Sequence, residues 1–282
     1  MQKIYVVAAT FIVFINCTPK AEKEISAPHD VSGKIVYSLS IADSFYISVQ
    51  LPEDYNSSTS TYPVVFMTDA NFQFPMLAAT VKQYEKGGLL PPLILVGIGY
   101  KSFRLMDSLR VRDYLYPEAL PSDEMHAPGG GKKFYEFITG DLVPLIDSTY
   151  RTDTTNRSIA GHSFGGYFTL YTLLNQLENN RTDFANFVSA SPSLWYHDFY
   201  LNRLTEKLKN RSTTNKLGIF MSAGSLENET WNITPVKNLA DQIQKAGLKD
   251  INLHAVIFNE LDHMDVAQLT FIKGLQQFYT TR

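Results

Sequence analysis

The chain has 282 residues, is 44% hydrophobic, and carries 25 basic against 28 acidic residues for a formal charge of -3. That length holds one large α/β core or two modest domains. The near-balanced charge, with no lysine or arginine stripe, excludes a nucleic-acid footprint. The single cysteine excludes an intramolecular disulfide.

The N-terminus opens with Lys3 and the apolar run Ile4–Ile15. That run is too short to span a bilayer but has the length of a signal-peptide core. The single cysteine, Cys17, stands just after it, past Asn16, which resembles a bacterial lipoprotein signal, where such a cysteine becomes the lipidated first residue. Asn16 and Phe14 depart from that pattern, and soluble secretion after ordinary cleavage is the alternative. Residues 1–17 are therefore expected to be a signal peptide of lipoprotein type and 18–30 a polar tether. Residues 31–282 are expected to be a single domain of an exported protein, anchored in a bacterial envelope, periplasmic or secreted.

From there, Lys34–Ser40 and Ser44–Leu51 alternate polar and apolar residues and read as two strands. "VVFMTDA" from Val64 is an apolar run ending in polar residues, the pattern of a buried parallel strand whose C-terminal end opens to a site. "MLAATVKQYEK" reads as a helix stopped by Gly87 and Gly88, and "LILVGIGY" from Leu93 as the next strand. Between Lys101 and Lys133 the pattern breaks down into a long Pro- and Gly-rich loop. "FYEFITGDLVPLIDSTY" resumes helical spacing, bent or restarted at Pro144. "RSIA" is a short strand and "GGYFTLYTLLNQL" the helix behind it. "NFVSASPS", "KLGIFMSAG" and "NLHAVIF" add strands; "LTEKLKN", "ITPVKNLADQIQKAG" and "VAQLTFIKGLQQFYT" add helices. This alternation predicts an α/β fold: a mostly parallel sheet with helices on both faces.

Between "RSIA" and its helix stands Gly161-His162-Ser163-Phe164-Gly165, a G-x-S-x-G pentapeptide. In the α/β-hydrolase fold this pattern places a serine on a sharp strand-to-helix turn, with an acid and a histidine following in that chain order. His263, in the loop between the last strand and the last helix, is the candidate base. His254 lies inside a strand, and His162, beside the nucleophile, is expected to point elsewhere. Glu227 comes soonest after the strand ending near Ala223 and is the candidate acid; Glu229, Asp262 and Asp241 remain alternatives. Two N–H groups must receive the oxyanion: that of Phe164, and one from the loop "FMTDANFQF", with Asn71 ahead of Ala70. Trp195 and Tyr196 line a substrate pocket or belong to the core. Arg112 meets an anionic substrate group or holds the long loop through Asp113. No Cys/His cluster suggests a metal, and no cofactor loop is present.

With these residues in view, the chain resembles the Putative esterase group of α/β hydrolases, whose members include siderophore esterases, S-formylglutathione hydrolase, feruloyl esterases and mycolyltransferases. "YPVVFMTDANFQF" looks like the family's strand and "LDG-N" segment, with Ala70 in place of glycine. "VGIGY" and "RVRDYLYP" look like its "VGI" and "R-x-R-D-x-T-P" stretches, with Leu115 and Tyr116 departing. "IAGHSFGGYFTLY" is similar to its elbow and "SASPSLWY" to its "SPSLWW". The siderophore-esterase branch looks nearest, through the elbow and Trp195. The resemblance runs from about Ile35 to Tyr279 and places the family's acid on Glu227. It implies a serine esterase acting through an acyl-enzyme on small-molecule or polysaccharide esters, siderophore or carbohydrate esters among them. The alternatives are an acyltransferase of the same fold and an inactive ligand-binding lipoprotein.

Overall fold

The alternating N-terminal segment folds into an antiparallel pair, β1 (Lys34–Ser38) and β2 (Asp43–Gln50). In the computed structural model, which describes residues 33–212 and 215–280, this pair forms one edge of an eight-stranded sheet. The remaining strands are β3 (Tyr62–Met67), β4 (Ile94–Gly99), β5 (Thr152–His162), β6 (Asn186–Ala190), β7 (Leu217–Gly224) and β8 (Ile251–Phe258). Their order is β1-β2-β4-β3-β5-β6-β7-β8. β2 pairs antiparallel with β4, and every pairing from β4 through β3 to β8 is parallel. The apolar runs of β4 and β7 are buried throughout because helices cover both faces. The residues expected to carry the signal peptide, the tether and Cys17 lie outside the described ones. No helix among the described residues is long and apolar enough to cross a membrane.

One face of the sheet carries α1 (Ala70–Lys86) and α9 (Val266–Tyr279), where Phe74, Leu77, Phe271 and Leu275 pack on Val65, Leu95 and Val188. The opposite face carries α5 (Phe164–Glu178), buried on nearly every side. A helix apolar all round belongs inside a core. Around it lie α2 (Phe103–Tyr114), α3 (Gly131–Glu136) and α4 (Val143–Thr149), then α6 (Tyr196–Phe199), α7 (Leu204–Lys209) and α8 (Thr234–Lys245).

Two expectations change and a third is made specific. The stretch Lys101–Lys133 is not all loop: α2 occupies its first third, capped by the Ser102 hydroxyl, which accepts from Leu105 N. α2 buries Met106, Asp113 and Tyr114, so it shows no apolar stripe to read. β5 begins at Thr152 rather than at Arg157, its polar first half being only partly buried. Pro144 does restart a helix, but through a wide π-helical turn, Phe137–Leu142, set between α3 and α4. Such turns absorb an interrupted hydrogen-bond ladder.

Candidate active site

Strand ends build the site. β5 stops at His162, and Ser163 takes φ 59° and ψ −117°, a left-handed conformation costly for a residue with a Cβ. The turn is held from both sides. Ser163 N donates to Ala190 O at the end of β6 (2.9 Å), and Tyr167 N donates to Ser163 O (2.8 Å). Gly165 is required by close approach: a Cβ there would meet the Thr68 hydroxyl and come within 2.9 Å of Asp69 Oδ2. Gly161 faces the Gly165 backbone with no more room.

Beyond β7, Glu227 turns back onto the end of its own strand. Its side chain is 1% exposed. Oε1 accepts from Gly224 N (2.6 Å), and Oε2 lies 2.7 Å from His263 Nδ1. The Ser191 hydroxyl also donates to Oε2 and stands 2.9 Å from the same Nδ1. Burial alone would raise the Glu227 carboxyl, but hydrogen bonds from His263, Gly224 and Ser191 outweigh it and hold the group below the ordinary range. A carboxylate at Nδ1 fixes the imidazole so that Nε2 is the basic nitrogen. Glu229 bonds instead to Thr234 and Lys237 at the surface. Asp262 accepts from the backbone N–H groups of Met264 and Asp265 and so shapes the His263 loop. Asp241 lines a separate groove on α8.

The described residues give no hydrogen bond between Ser163 Oγ and His263 Nε2; such contacts are often loose before substrate binds. The two residues are tied through His162. Its Nε2 lies 2.7 Å from His263 O, its ring centroid is 4.6 Å from that of His263, and its side chain is buried. The expectation that His162 points elsewhere is therefore corrected. Burial, with His263 beside it, pushes the His162 imidazole down to about 3. It is neutral at ordinary pH, with a proton on Nε2 to donate.

Phe164 and Asn71 stand at the first turns of α5 and α1, where backbone N–H groups have no intrahelical acceptor. α1 starts directly after β3 because Asp69 takes a left-handed conformation. The Asn71 side chain brackets the Tyr100 peptide, donating to its O and accepting from its N (2.7 Å each), and so pins α1 to the end of β4.

Sequence reasoning missed Arg110. Its guanidinium grips the buried Asp69 with two hydrogen bonds (2.9 and 2.8 Å), donates to His162 O (3.1 Å) and packs over the Phe164 ring. Arg112 instead pairs with Asp113 and Asp43, fastening α2 to β2, which is the structural alternative of its reading. Tyr196 is fully buried with its hydroxyl on Pro117 O, so it belongs to the core. Trp195 lines a cavity of about 850 Å³, and its ring lies 6.2 Å from that of Phe164. Among the described residues, no group of three or more His, Cys, Asp or Glu side chains could hold a metal ion.

The sheet order, the left-handed serine between β5 and α5, and the loops after β7 and β8 define an α/β hydrolase. Residues 38–263 match the family described as Putative esterase, and the chain belongs to that family. Ferri-bacillibactin esterase BesA of Bacillus subtilis is 33% identical over 179 residues, 59% of this chain and 60% of that protein. Apo-salmochelin esterase of Escherichia coli is 30% identical over 156 residues, 52% of this chain and 46% of that protein. The matched stretch thus spans 60% or less of these two curated relatives. Among solved structures, an IroE-like serine hydrolase from Shewanella oneidensis superposes with a TM-score of 0.74 at 26% identity, covering 88% of this chain and 79% of that one. The BES protein of Bacillus cereus shares the fold along the whole of both chains, with a TM-score of 0.78 at 21% identity.

Proposed function

We propose that the chain is a serine esterase that cleaves carboxylic esters through an acyl-enzyme. The observation that carries the reading is the buried Glu227 carboxylate on His263 Nδ1, beside a serine in a strained strand-to-helix turn. In this reading Ser163 Oγ attacks the ester carbonyl carbon while His263 Nε2 takes its proton. The N–H groups of Phe164 and Asn71 receive the oxyanion. Collapse breaks the bond to the alcohol oxygen, which leaves with the proton from His263. Water then attacks the acyl-serine by the same steps, releasing the acid and restoring Ser163. An acyltransferase would differ only in the nucleophile of the second half. Mixing an activated ester with water and a competing alcohol, and measuring free acid against new ester, separates the two.

The named activities of the two curated relatives support siderophore-type esters as the first substrates to test. Export, with lipidation at Cys17, rests on Lys3, the run Ile4–Ile15 and the cysteine's position. In a bacterial host the chain should incorporate a palmitate analogue and partition with membranes, and Cys17→Ala should abolish both. Unlabelled protein released from cells would leave ordinary secretion.

A further inference from the structure

Trp195, whose ring lies 6.2 Å from that of Phe164, lines the cavity of about 850 Å³, and the lining divides into two chemical classes. Trp195, Phe199 and Trp231 supply aromatic surface, while Asp123, Glu124 and Asp198 supply carboxylates. The lining contains no lysine or arginine. The nearby Arg203 stacks on Tyr200, 4.1 Å from its ring centroid, and borders a separate smaller groove.

The wall is built under strain. Glu124, His197, Asp198 and Phe199 all take left-handed backbone conformations, with φ of 53°, 49°, 48° and 57°. Non-glycine residues persist there only where surrounding contacts hold them. Two such contacts stitch the segments together: Asp123 Oδ1 accepts from His197 N (3.1 Å), and His197 Nδ1 donates to Glu118 O (2.9 Å). Asp123 Oδ2 accepts from Leu120 N (2.7 Å), so this carboxylate is structurally engaged. Glu124 and Asp198 are exposed, and their carboxylates form no hydrogen bond or ion pair among the described residues.

We infer that this cavity receives a positively charged, ammonium-bearing part of the ester substrate and discriminates against anionic ones. The inference rests on the esterase reading for its place in catalysis. Aromatic faces attract cations through their quadrupoles, and unpaired carboxylates beside them add Coulomb attraction. The same groups repel a carboxylate or an anionic iron chelate.

Both tryptophans of the chain, Trp195 and Trp231, line the cavity, so intrinsic fluorescence reports its occupancy directly. The protein is titrated with benzyltrimethylammonium, benzyl alcohol and phenylacetate. The cation should bind roughly tenfold more tightly than the alcohol, with phenylacetate weaker still. High salt and the Glu124→Gln/Asp198→Asn double variant should both narrow the spread. Phenylacetate binding as tightly as the cation, an absence of saturable binding by the cation, or an unchanged preference in the double variant would overturn the inference. In parallel, kcat/KM is measured for 4-nitrophenyl esters ending in trimethylammonium, methyl or carboxylate groups. Hydrolysis dependent on Ser163 but flat across the three refutes the cavity's selectivity and leaves the esterase standing. No such hydrolysis with any ester refutes the esterase, while fluorescence still decides the cavity.

Discussion

His162 Nε2 lies 2.7 Å from the carbonyl oxygen of His263, so the residue preceding the nucleophile holds the loop that carries the base. The contact spans a sequence separation of 101 and joins the end of β5 to the loop after β8. His162→Phe keeps an aromatic ring and removes the donor. We expect kcat to fall roughly tenfold, the scale of one lost hydrogen bond that orients a reacting group, with KM little changed. Steady-state kinetics on a neutral 4-nitrophenyl ester checks this; an unchanged kcat would make the contact incidental.

The same imidazole makes stability depend on pH. Its folded value is about 3 against an ordinary 6.5, so between these values the unfolded chain binds a proton that the folded chain does not. Stability from this group is present above about pH 6.5 and is lost as pH falls toward 3, at about 1.4 kcal/mol per pH unit. Urea midpoints of wild type and His162→Phe between pH 7 and pH 4 should show a shallower decline in the variant. Parallel curves would contradict the assignment.

For the acid, Glu227→Gln should lower kcat by up to ~10⁴-fold, the cost of losing the orienting carboxylate in serine proteases. Glu229→Gln and Asp262→Asn should stay within a few fold, since neither carboxylate hydrogen-bonds His263. A collapse in either of these variants, with Glu227→Gln near wild type, would redraw the triad.

Ser191 also stands at the base, a buried hydroxyl that donates to Glu227 Oε2 and touches His263 Nδ1. Ser191→Ala removes a donor from the carboxylate, which raises its pKa. With one of its anchors gone the carboxylate orients His263 less firmly, and kcat should fall roughly tenfold at neutrality. An unchanged kcat would reduce Ser191 to packing.

Arg110 and Asp69 form a buried bidentate pair behind the elbow. Arg110→Ala strands the Asp69 carboxylate and should destabilise the fold by about 3–5 kcal/mol. Asp69→Asn/Arg110→Met, which removes both charges, should recover part of that loss in a denaturant titration. A double variant worse than the single one would mean that the pair itself, and not the stranded charge, carries the stability.

The α/β architecture was legible because buried parallel strands write themselves as apolar runs, as in β4 and β7. Ser163, Glu227 and His263 were legible because each stands just past a strand end, in the order the fold demands. α2 was not, because what it buries includes Asp113 and Tyr114, held by Arg112 and Asp69, with no periodic apolar face. His162, Ser191 and Arg110 escaped for a related reason. Their partners lie on segments distant in sequence, and a hydrogen bond between such segments leaves no local pattern. Positive φ at Ser191 and across His197–Phe199 likewise has no glycine to announce it.

The central claim is that Ser163 is the nucleophile of an ester hydrolase, and covalent trapping tests it most directly. Wild-type protein is treated with a fluorophosphonate, which phosphonylates activated serines, then digested and mapped by mass spectrometry beside Ser163→Ala. The account predicts one adduct, on Ser163, with hydrolysis of a 4-nitrophenyl ester lost in step with labelling. Folded Ser163→Ala should show neither label nor turnover above roughly 10⁻³ of wild type. An adduct on another serine, or near-normal turnover by folded Ser163→Ala, would contradict it.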